Sequence, residues 1–322
     1  MTAIFGYNVG MNSVATYNQT RVGRLAPSPT GALHLGNIRT FMLAWLQMRA
    51  CGGRVLLRIE DLDHPKHKPG ADAALMDDLQ WLGFDWDEAP QWQTARVAHY
   101  DAALQQLAPS LYPCFCSRAD IQRAQSAPHP GEVLRYPGTC RHRDTTAVSE
   151  EARAKAALRL ALTESDSGAF VDGFAGPYPQ TAASLTGDFV VARAGQAAYT
   201  LAVVVDDAAM GVTDVVRGDD ILPATPAQIV LYNRLGLPVP NFFHVPLVTG
   251  KDGNRLAKRH GDTRIASYRS AGVSAGRILS ALARSCGWLK QNETVSTLAE
   301  LIPLFTLETV PQTPFVWDDS LL

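Results

Sequence analysis

The stretch from residue 24 to residue 50 constrains the fold most, because it combines a strand end, a turn and a helix in close succession. Residues 26–36 break an apolar run with two prolines and two glycines. Residues 38–50 then place apolar side chains at helical intervals, which predicts a helix. His34 and Asn37 fall at its N-terminus, where unpaired N–H groups and the helix dipole favour anions. The segment therefore predicts a strand–turn–helix unit that handles phosphate.

A second basic stretch, residues 255–259 (RLAKR), lies far along the chain between Gly253 and Gly261. Two cations, Lys258 and Arg259, flanked by glycines, are typical of a mobile loop that closes over a triphosphate. Neither stretch is convincing alone. Together, the two segments indicate ATP-driven activation of a carboxylate.

An apolar run at residues 54–59 (RVLLRI) has a β-branched bias and is typical of a buried parallel strand. Glu60, Asp61 and Asp63 follow it directly. Ligands of open α/β sheets bind beyond the carboxyl ends of strands, so these acids are predicted to lie where a substrate binds. The chain is therefore predicted to be an α/β protein with a parallel sheet.

A long stretch rich in proline and glycine, residues 113–195, interrupts this alternation and is predicted to be an insertion between two halves of one sheet. Thr225 and Pro226 are interpreted as the N-cap and first residue of a helix that ends at Gly236, and Ser274 as the N-cap of another. The other predicted helices are residues 72–82, 96–107, 152–162, 274–286 and 297–305, and the other predicted strands are residues 199–205 and 212–216.

Three of the five cysteines, Cys114, Cys116 and Cys140, are spaced like metal ligands. Three thiols so close together among turn-forming prolines predict a tetrahedral zinc site that lacks one ligand. This pattern suits a reducing cytoplasm better than a disulfide framework. Residue chemistry alone favours a histidine as the fourth ligand, because imidazole binds zinc far more often than phenolate does. The candidates are Tyr136, His142 and His129.

The two phosphate-binding segments resemble the two signatures of the class I aminoacyl-tRNA synthetases, with residues 34–37 (HLGN) as the first and residues 255–259 as the second. Residues 24–31 (RLAPSPTG) and 58–63 (RIEDLD) narrow the resemblance to the glutamyl/glutaminyl branch of that family. The resemblance covers about residues 21–300. It implies a Rossmann-like parallel sheet with a zinc-bearing insertion and a small C-terminal helical domain.

Domain divisions follow from the same resemblance. Residues 1–20 are expected to be an N-terminal extension, 21–112 and 196–245 the two halves of the catalytic domain, and 113–195 the insertion with the zinc site. Residues 246–322 are expected to form the ATP loop and a helical domain like the one that contacts the tRNA stem.

The resemblance also implies a site, residue by residue. Glu60 would bind the substrate ammonium, Arg24 and Arg217 its carboxylates. Asn37 departs from the fullest form of the first signature, which has a second histidine there; asparagine donates hydrogen bonds but is never cationic. The implied glutamate-binding residues are Arg24, Leu25, Ala26, Pro27, Ser28, Glu60, Tyr199 and Arg217; the implied ATP-binding residues are His34, Gly36, Asn37, Lys258 and Arg259, with His34 and Lys258 catalytic; and the implied zinc ligands are Cys114, Cys116, Tyr136 and Cys140.

The reaction that the resemblance implies is attack of the glutamate α-carboxylate on the ATP α-phosphorus, with Mg²⁺ on the departing pyrophosphate. A full glutamyl-tRNA synthetase carries an anticodon-binding domain, and few residues follow the Lys258 loop here. The short relatives that this length matches activate L-glutamate without tRNA and transfer it to queuosine in the anticodon of tRNA-Asp. We therefore expect this acceptor, and a monomeric cytoplasmic protein.

The composition agrees with this interpretation but would not suggest it by itself. The net charge of −2 gives no global attraction to nucleic acid, so an RNA surface would have to be local. No apolar run of about 18 residues predicts a membrane span, and residues 1–20 lack the basic start and apolar centre of a signal peptide. The candidate RNA surface comprises Lys251, Arg255, Lys258, Arg259, Arg264 and Arg269.

Other classes of function find less support. Residues 272–276 (GVSAG) fit a hydrolase nucleophile elbow, but that fold needs a histidine after the serine, and the last histidine is His260. A dehydrogenase is not indicated, because the sequence contains no G-x-G-x-x-G motif. The remaining alternatives are a shortened glutamyl-tRNA synthetase that charges the 3′ end of tRNA-Glu, and a non-catalytic zinc-containing RNA-binding module.

Overall fold

The computed structural model describes most of the chain. The described residues are 20–29, 31–62, 69–124, 134–146, 148–254, 256 and 262–322. Several residues predicted to act in a site lie outside these ranges: Asp63, His129, Arg255, Lys258 and Arg259.

Helices and parallel strands alternate in both halves of the chain. The α-helices are α1 (Leu35–Arg49), α2 (Ala71–Trp81), α3 (Val97–Leu107), α4 (Arg118–Ala124), α5 (Glu150–Ala154), α6 (Ala182–Leu185), α7 (Tyr199–Ala209), α8 (Thr225–Leu235), α9 (Ile265–Ser270) and α10 (Ala275–Ser285). The strands are β1 (Val22–Leu25), β2 (Arg54–Ile59), β3 (Gln91–Trp92), β4 (Leu111–Cys114), β5 (Ala157–Leu160), β6 (Phe170–Asp172), β7 (Gly176–Tyr178), β8 (Val190–Arg193), β9 (Gln196–Ala197), β10 (Asp214–Gly218), β11 (Asn241–Val245), β12 (Val248–Thr249) and β13 (Phe315–Val316). Short 3₁₀ helices cover Gln93–Arg96, Ala108–Ser110, Asp219–Ala224, Leu298–Leu304 and Asp319–Leu321.

Two groups of parallel strands meet at the centre of the molecule. Strands β1, β2 and β3 pair in parallel, and so do β10 and β11. Between the groups, the Thr213 amide donates to the Val22 carbonyl at 2.8 Å, and the Val22 amide donates to the Thr213 hydroxyl at 2.9 Å. The predicted parallel α/β fold is confirmed.

Successive side chains of a strand point to opposite faces, so the sheet separates two apolar cores. On β2, Leu57 and Ile59 pack in the core that contains α1 and α10, whereas Leu56 packs in the core that contains α3, α7 and α8. Leu25 is fully buried in the first core. Because α10 shares that core with α1, the predicted small C-terminal domain stays a prediction.

The insertion folds largely as antiparallel sheet. Strands β4, β5, β8 and β9 pair in that order, and β6 and β7 form a separate hairpin. The Gly173 amide of that hairpin donates to the Phe242 carbonyl at 2.8 Å, which attaches the hairpin to β11. A small core within the insertion comprises Cys114, Ile121, Tyr136, Cys140 and Ala157.

The predicted strand over residues 199–205 is wrong, because this segment is the first part of helix α7. Its three valines and leucine favour a strand by propensity. In the fold, every residue from Leu201 to Asp207 is buried, so both the apolar residues and the aspartates of the helix have partners on all sides. Packing all around a buried helix outweighs a local preference worth about 1 kcal/mol.

The predicted helix over residues 152–162 is correct only at its start. Helix α5 ends at Ala154, and β5 follows between β4 and β8. Alanine and leucine favour a helix locally. The backbone groups of β5 instead pair with strands on both sides, a long-range effect that propensity does not contain.

Helix α8 differs from the prediction at its start. Its N-cap is Ala224 rather than Thr225, and the Thr225 hydroxyl is turned to buried partners instead of a cap. Its end agrees with the prediction, since Gly236 adopts φ 66°, in the left-handed region that favours glycine. Ser274 is confirmed as the N-cap of α10, where its hydroxyl accepts from the Arg277 amide at 3.3 Å.

Candidate active site

A cavity of about 460 Å³ lies at the carboxyl ends of β1, β2 and β10. This is the edge at which open α/β sheets bind ligands. Leu25 does not line the cavity, because its side chain is fully buried in the core. The predicted site residues that do line it are Arg24, Ala26, Pro27, Ser28, His34, Gly36, Asn37, Glu60, Tyr199 and Arg217.

One wall of the cavity rests on a buried ion network. Arg58 donates to Asp207 at 2.5 Å and to Glu60 at 3.1 Å, and Arg24 reaches the same Asp207 oxygen at 3.3 Å. Asp206, the neighbour of Asp207 on α7, accepts from Arg96 at 2.6 Å. Burial raises the pKa of Glu60, and the Arg58 and Arg24 guanidiniums oppose that rise. The network fixes the position of Glu60 at the cavity edge.

The opposite wall carries Arg217, the last but one residue of β10. Its Nε donates to His244 Nε2 at 2.9 Å, and its Nη2 donates to Thr225 at 2.9 Å and to Gln228 at 2.6 Å. Its Nη1 is buried and has no hydrogen-bond partner among the described residues. Burial and the neighbouring Arg24 guanidinium lower the pKa of Arg217. The site therefore presents an unpaired donor on a desolvated cation.

Hydroxyl groups complete this end of the cavity. Tyr199 begins helix α7 and is 42% exposed, whereas Ser28 is exposed in the turn after β1. Enclosure by the cavity walls and the charge of Glu60 raise the pKa of Tyr199 to about 12. The phenol thus stays protonated near neutral pH and is available as a hydrogen-bond donor.

At the other end of the cavity, His34 is the N-cap of α1. Its Nδ1 accepts from the Asn37 amide at 3.4 Å, while the Asn37 side chain accepts from the His34 amide at 3.2 Å. A Cβ on Gly36 would lie only 3.0 Å from the His34 ring, so glycine keeps room for the imidazole. The predicted position of both residues at a helix N-terminus is confirmed.

Described residues that flank the undescribed part of the second basic segment lie beside the first signature, residues 34–37. The Leu35 amide donates to the Thr263 carbonyl at 3.2 Å, and the Ile265 amide donates to the Leu33 carbonyl at 2.9 Å. Leu256 is buried, and its amide donates to the Val248 carbonyl at 3.4 Å. Residues on either side of 257–261 are therefore anchored next to His34.

The predicted basic surface is largely neutralised where it is described. Lys251 pairs with Asp318, Arg264 with Asp262, and Arg269 with Asp77. These pairs are exposed, so each contributes little to stability. They do reduce the positive field that the sequence suggests at this surface.

The three clustered cysteines meet in the insertion. The sulfur atoms of Cys114, Cys116 and Cys140 lie within 4.8 Å of one another, and those of Cys116 and Cys140 are 3.6 Å apart. The Tyr136 hydroxyl lies 3.4 Å from the Cys114 sulfur and accepts from the Cys140 amide at 2.7 Å. His142 is exposed and is not part of this cluster. All five cysteines are free thiols in the structure.

Sequence reasoning missed several residues that hold the cavity walls. Asp206 and Asp207 were visible as an acid pair ending an apolar run, and buried aspartates need partners. His244 and Asp172 carried no local signal, since their partners are distant in sequence, and Thr225 was interpreted as a helix cap rather than as a partner of Arg217. In the part of the chain that is described, no helix is long and apolar enough to span a membrane.

The fold, with a cavity at the carboxyl ends of its parallel strands, is that of a synthetase catalytic domain. Residues 20–322 match the family described as tRNA synthetases class I (E and Q), catalytic domain, and the chain belongs to that family of ligases. It is 48% identical to the glutamyl-Q tRNA(Asp) synthetase of Symbiobacterium thermophilum over 91% of this chain and 94% of that protein. It is 43% identical to the protein of the same name from Nitratidesulfovibrio vulgaris, over 93% and 96%. The resemblance to short relatives of glutamyl-tRNA synthetase is confirmed.

Longer members of the family are also similar. The chain is 40% identical to glutamate–tRNA ligase 2 of Halorhodospira halophila, covering 93% of this chain but 64% of that protein. Among solved structures, the glutamate–tRNA synthetase of Elizabethkingia anophelis matches with a TM-score of 0.78 and 26% identity, over 94% of this chain and 69% of that one. The glutamate tRNA ligase of Elizabethkingia meningosepticum, solved in complex with its amino acid, matches with a TM-score of 0.76. The predicted class I synthetase fold is confirmed.

Proposed function

We propose that the chain activates L-glutamate with ATP in the absence of tRNA and transfers it to the queuosine base in the anticodon of tRNA-Asp. In the first step a glutamate α-carboxylate oxygen attacks the ATP α-phosphorus, and pyrophosphate leaves. In the second, a hydroxyl of the queuosine cyclopentene ring attacks the glutamyl carbonyl carbon, and AMP leaves. The observation that carries the proposal is that Arg24, Glu60 and Arg217 share one cavity with the His34 helix N-terminus.

The charges at the end of the cavity formed by Arg24, Glu60 and Arg217 suit glutamate. Glu60 supplies an anion for the ammonium, and Arg24 and Arg217 supply cations for the two carboxylates. The unpartnered Nη1 of Arg217 supports this role, because a buried donor without a partner costs free energy that a carboxylate would recover. Tyr199 and Ser28 add hydroxyl donors. The remaining predicted lining, Ala26 and Pro27, would shape this end.

The other end suits a triphosphate. The N-terminus of α1 places the positive end of its helix dipole there, and His34, Gly36 and Asn37 line the cavity beside it. Lys258 and Arg259 would complete the site by neutralising charge on the departing pyrophosphate, with Mg²⁺ bound to its oxygens. The protein would then act mainly by positioning and by charge neutralisation.

The choice of acceptor is supported by the relatives. Proteins named glutamyl-Q tRNA(Asp) synthetase are 43–48% identical and align over nearly their whole length. A second candidate, charging of the 3′ end of tRNA-Glu, is favoured by the similarity to glutamate–tRNA ligases at 37–40% identity. We assign the first because both the identity and the shared length are greater.

The cysteine cluster fits a structural zinc ion. Tetrahedral zinc with Zn–S bonds of about 2.3 Å places its sulfurs about 3.8 Å apart, close to the Cys116–Cys140 separation. Cys114, Cys116 and Cys140 would supply three ligands and Tyr136 the fourth. Such an ion would tie β4 to the turn at residue 140 and stabilise the insertion.

Pyrophosphate exchange into ATP, with glutamate and no RNA present, tests the activation step. The acceptor is tested by offering labelled glutamate and ATP with tRNA-Asp that carries either queuosine or unmodified guanosine. We expect exchange, and label only on the queuosine form. Trimming the CCA end removes a 3′-terminal ester but leaves a queuosine ester. Label on the 3′ end of tRNA-Glu would contradict the acceptor, and absence of exchange would contradict activation.

A further inference from the structure

Arg217 is held by a chain of buried side chains that comes from outside the predicted site. Arg217 and His244 are paired across the β10–β11 ladder, and Arg217 Nε donates to His244 Nε2 at 2.9 Å. On its other side, His244 Nδ1 lies 2.6 Å from Asp172 Oδ2. Asp172 belongs to the β6–β7 hairpin of the insertion. Both Asp172 and His244 are at most 2% exposed.

The hydrogen-bond donors in this series of side chains determine which imidazole nitrogen of His244 carries the proton. Arg217 Nε carries a single hydrogen and cannot accept, so His244 Nε2 must be unprotonated in this contact. The neutral ring then carries its proton on Nδ1 and donates it to Asp172. Burial and the nearby Arg217 lower the pKa of His244, while Asp172 opposes that shift, which agrees with a neutral ring.

The two carboxylate oxygens of Asp172 differ in their main hydrogen-bond donors. Oδ1 accepts three backbone amides, those of His244 at 3.0 Å, Phe174 at 2.9 Å and Ala175 at 2.8 Å. Oδ2 makes the short contact to the imidazole and also accepts from the His244 amide, at 3.2 Å. Gly173 permits this turn, since a Cβ there would lie 2.2 Å from the Phe243 ring. The hairpin therefore holds the carboxylate in one orientation.

We propose that Asp172 and His244 are positioning residues for Arg217. Asp172 selects the Nδ1-protonated tautomer of His244, and Nε2 of that tautomer holds the guanidinium so that Nη1 is the donor offered to the substrate carboxylate. This inference rests on the proposed role of Arg217 in glutamate binding. It links the hairpin of the insertion to the amino-acid end of the cavity.

Asp172→Asn tests the tautomer without changing the shape of the side chain. The three amides at Oδ1 leave the oxygen of asparagine there, so its NH₂ replaces Oδ2 and donates to His244 Nδ1. The proton must then move to Nε2, where it opposes the Arg217 donor. An analogous aspartate-to-asparagine change at the triad of a serine protease is known to leave the wrong tautomer in place.

We expect the KM for glutamate in pyrophosphate exchange to rise about 10- to 100-fold, the range of a lost charged hydrogen bond. The KM for ATP should be unchanged, and kcat should change by less than about 3-fold, because the substitution leaves the phosphate-binding end of the cavity unaltered. Nitrogen NMR should report an Nδ1–H imidazole in the wild type and Nε2–H in the variant. Asp166→Asn is the matched control, because Asp166 also accepts backbone and arginine donors but lies outside the cavity.

His244→Gln provides the second arm. The amide oxygen of glutamine replaces Nε2 as an acceptor for Arg217, and this does not depend on the residue at position 172. Adding Asp172→Asn to His244→Gln should therefore not raise the KM for glutamate further. His244→Asn, which reaches only toward Asp172, should raise it as Asp172→Asn does. A folded Asp172→Asn enzyme with the wild-type KM for glutamate, or a raised KM with the Nδ1–H tautomer retained, would overturn the proposal.

If Asp172→Asn does not fold, the two His244 variants test the proposal. Equal KM values for glutamate in the glutamine and asparagine variants would overturn it. A wild-type enzyme that fails to exchange with glutamate would contradict the proposed function instead. The imidazole tautomers measured in that protein and in Asp172→Asn would still test the relation of Asp172 to His244.

Discussion

The guanidinium of Arg58 donates to the Oδ1 atom of Asp207 at 2.5 Å, across the packed face between strand β2 and helix α7. Both side chains are at most 2% exposed. Arg58 also contacts Glu60 at 3.1 Å, and Asp206 lies 3.8 Å from its Nε. One buried cation thus contacts three carboxylates. Burial lowers the pKa of Arg58, but the charges of Asp207, Glu60 and Asp206 outweigh that effect and raise it above its ordinary value.

Arg58→Met should lower the free energy of unfolding by about 3–5 kcal/mol, because it removes the buried cation that contacts Glu60 and makes the shorter contact to Asp207. Urea denaturation measures the change. Arg54→Met is the control: Arg54 pairs with Glu88 at the surface, and its loss should cost at most about 1 kcal/mol. Equal effects of the two substitutions would contradict the role assigned to the buried network.

Zinc content tests the cysteine cluster. One zinc ion per chain is expected by elemental analysis, and Cys116→Ser should lose it, because a hydroxyl is a far poorer ligand than a thiolate. Cys51→Ser should retain it, since Cys51 is exposed and outside the cluster. Tyr136→Phe removes only the oxygen and should weaken zinc binding. Full affinity in that variant, with loss in His142→Ala, would show that the fourth ligand is the histidine.

Lys258→Ala should reduce glutamate-dependent pyrophosphate exchange by roughly 100-fold or more, the effect of one lost preorganised charge contact, about 2.7–4 kcal/mol. Glutamate binding should change little, because the lysine is assigned to phosphate. Lys155→Ala, at an exposed ion pair on α5, is the control. Exchange at the wild-type rate in the Lys258 variant would refute the role of this segment.

Stability should fall on acidification below about pH 6.5. The folded pKa of His244 is lowered from 6.5, so the unfolded chain binds more protons between 6.5 and the folded value, and unfolding is favoured as pH decreases. The slope contributed by this one group is at most about 1.4 kcal/mol per pH unit. The groups that face it are Asp172, Arg217 and Thr225.

In the His244→Gln variant this slope should disappear, while the loss of stability at still lower pH, where Asp172 becomes protonated, should remain. Urea midpoints measured from pH 5 to 8 would test the loss of the histidine slope, because that interval spans the ordinary range of histidine titration. Superimposable profiles for wild type and variant would show that His244 does not titrate on unfolding.

Local pattern in the sequence was enough for the elements that carry the cavity's phosphate end. The helical spacing after residue 37 predicts α1, and the apolar run before Glu60 predicts β2, because periodicity and burial on both faces leave a direct trace in residue order. The cysteine spacing predicts a cluster, since three ligands so close in sequence need only turns to meet. The glutamate-site residues came from motif resemblance and not from periodicity, and their roles stay predictions.

Only the tertiary structure decided what surrounds those residues. The run at 199–205 is a helix because burial on all sides overrides the strand preference of its valines. Arg58 and Asp207 are separated by 149 positions, and Asp172 and His244 by 72, so no local pattern pairs them. Charges and imidazoles in a dry interior must find partners wherever the chain brings them, and that requirement acts through space, not along the sequence.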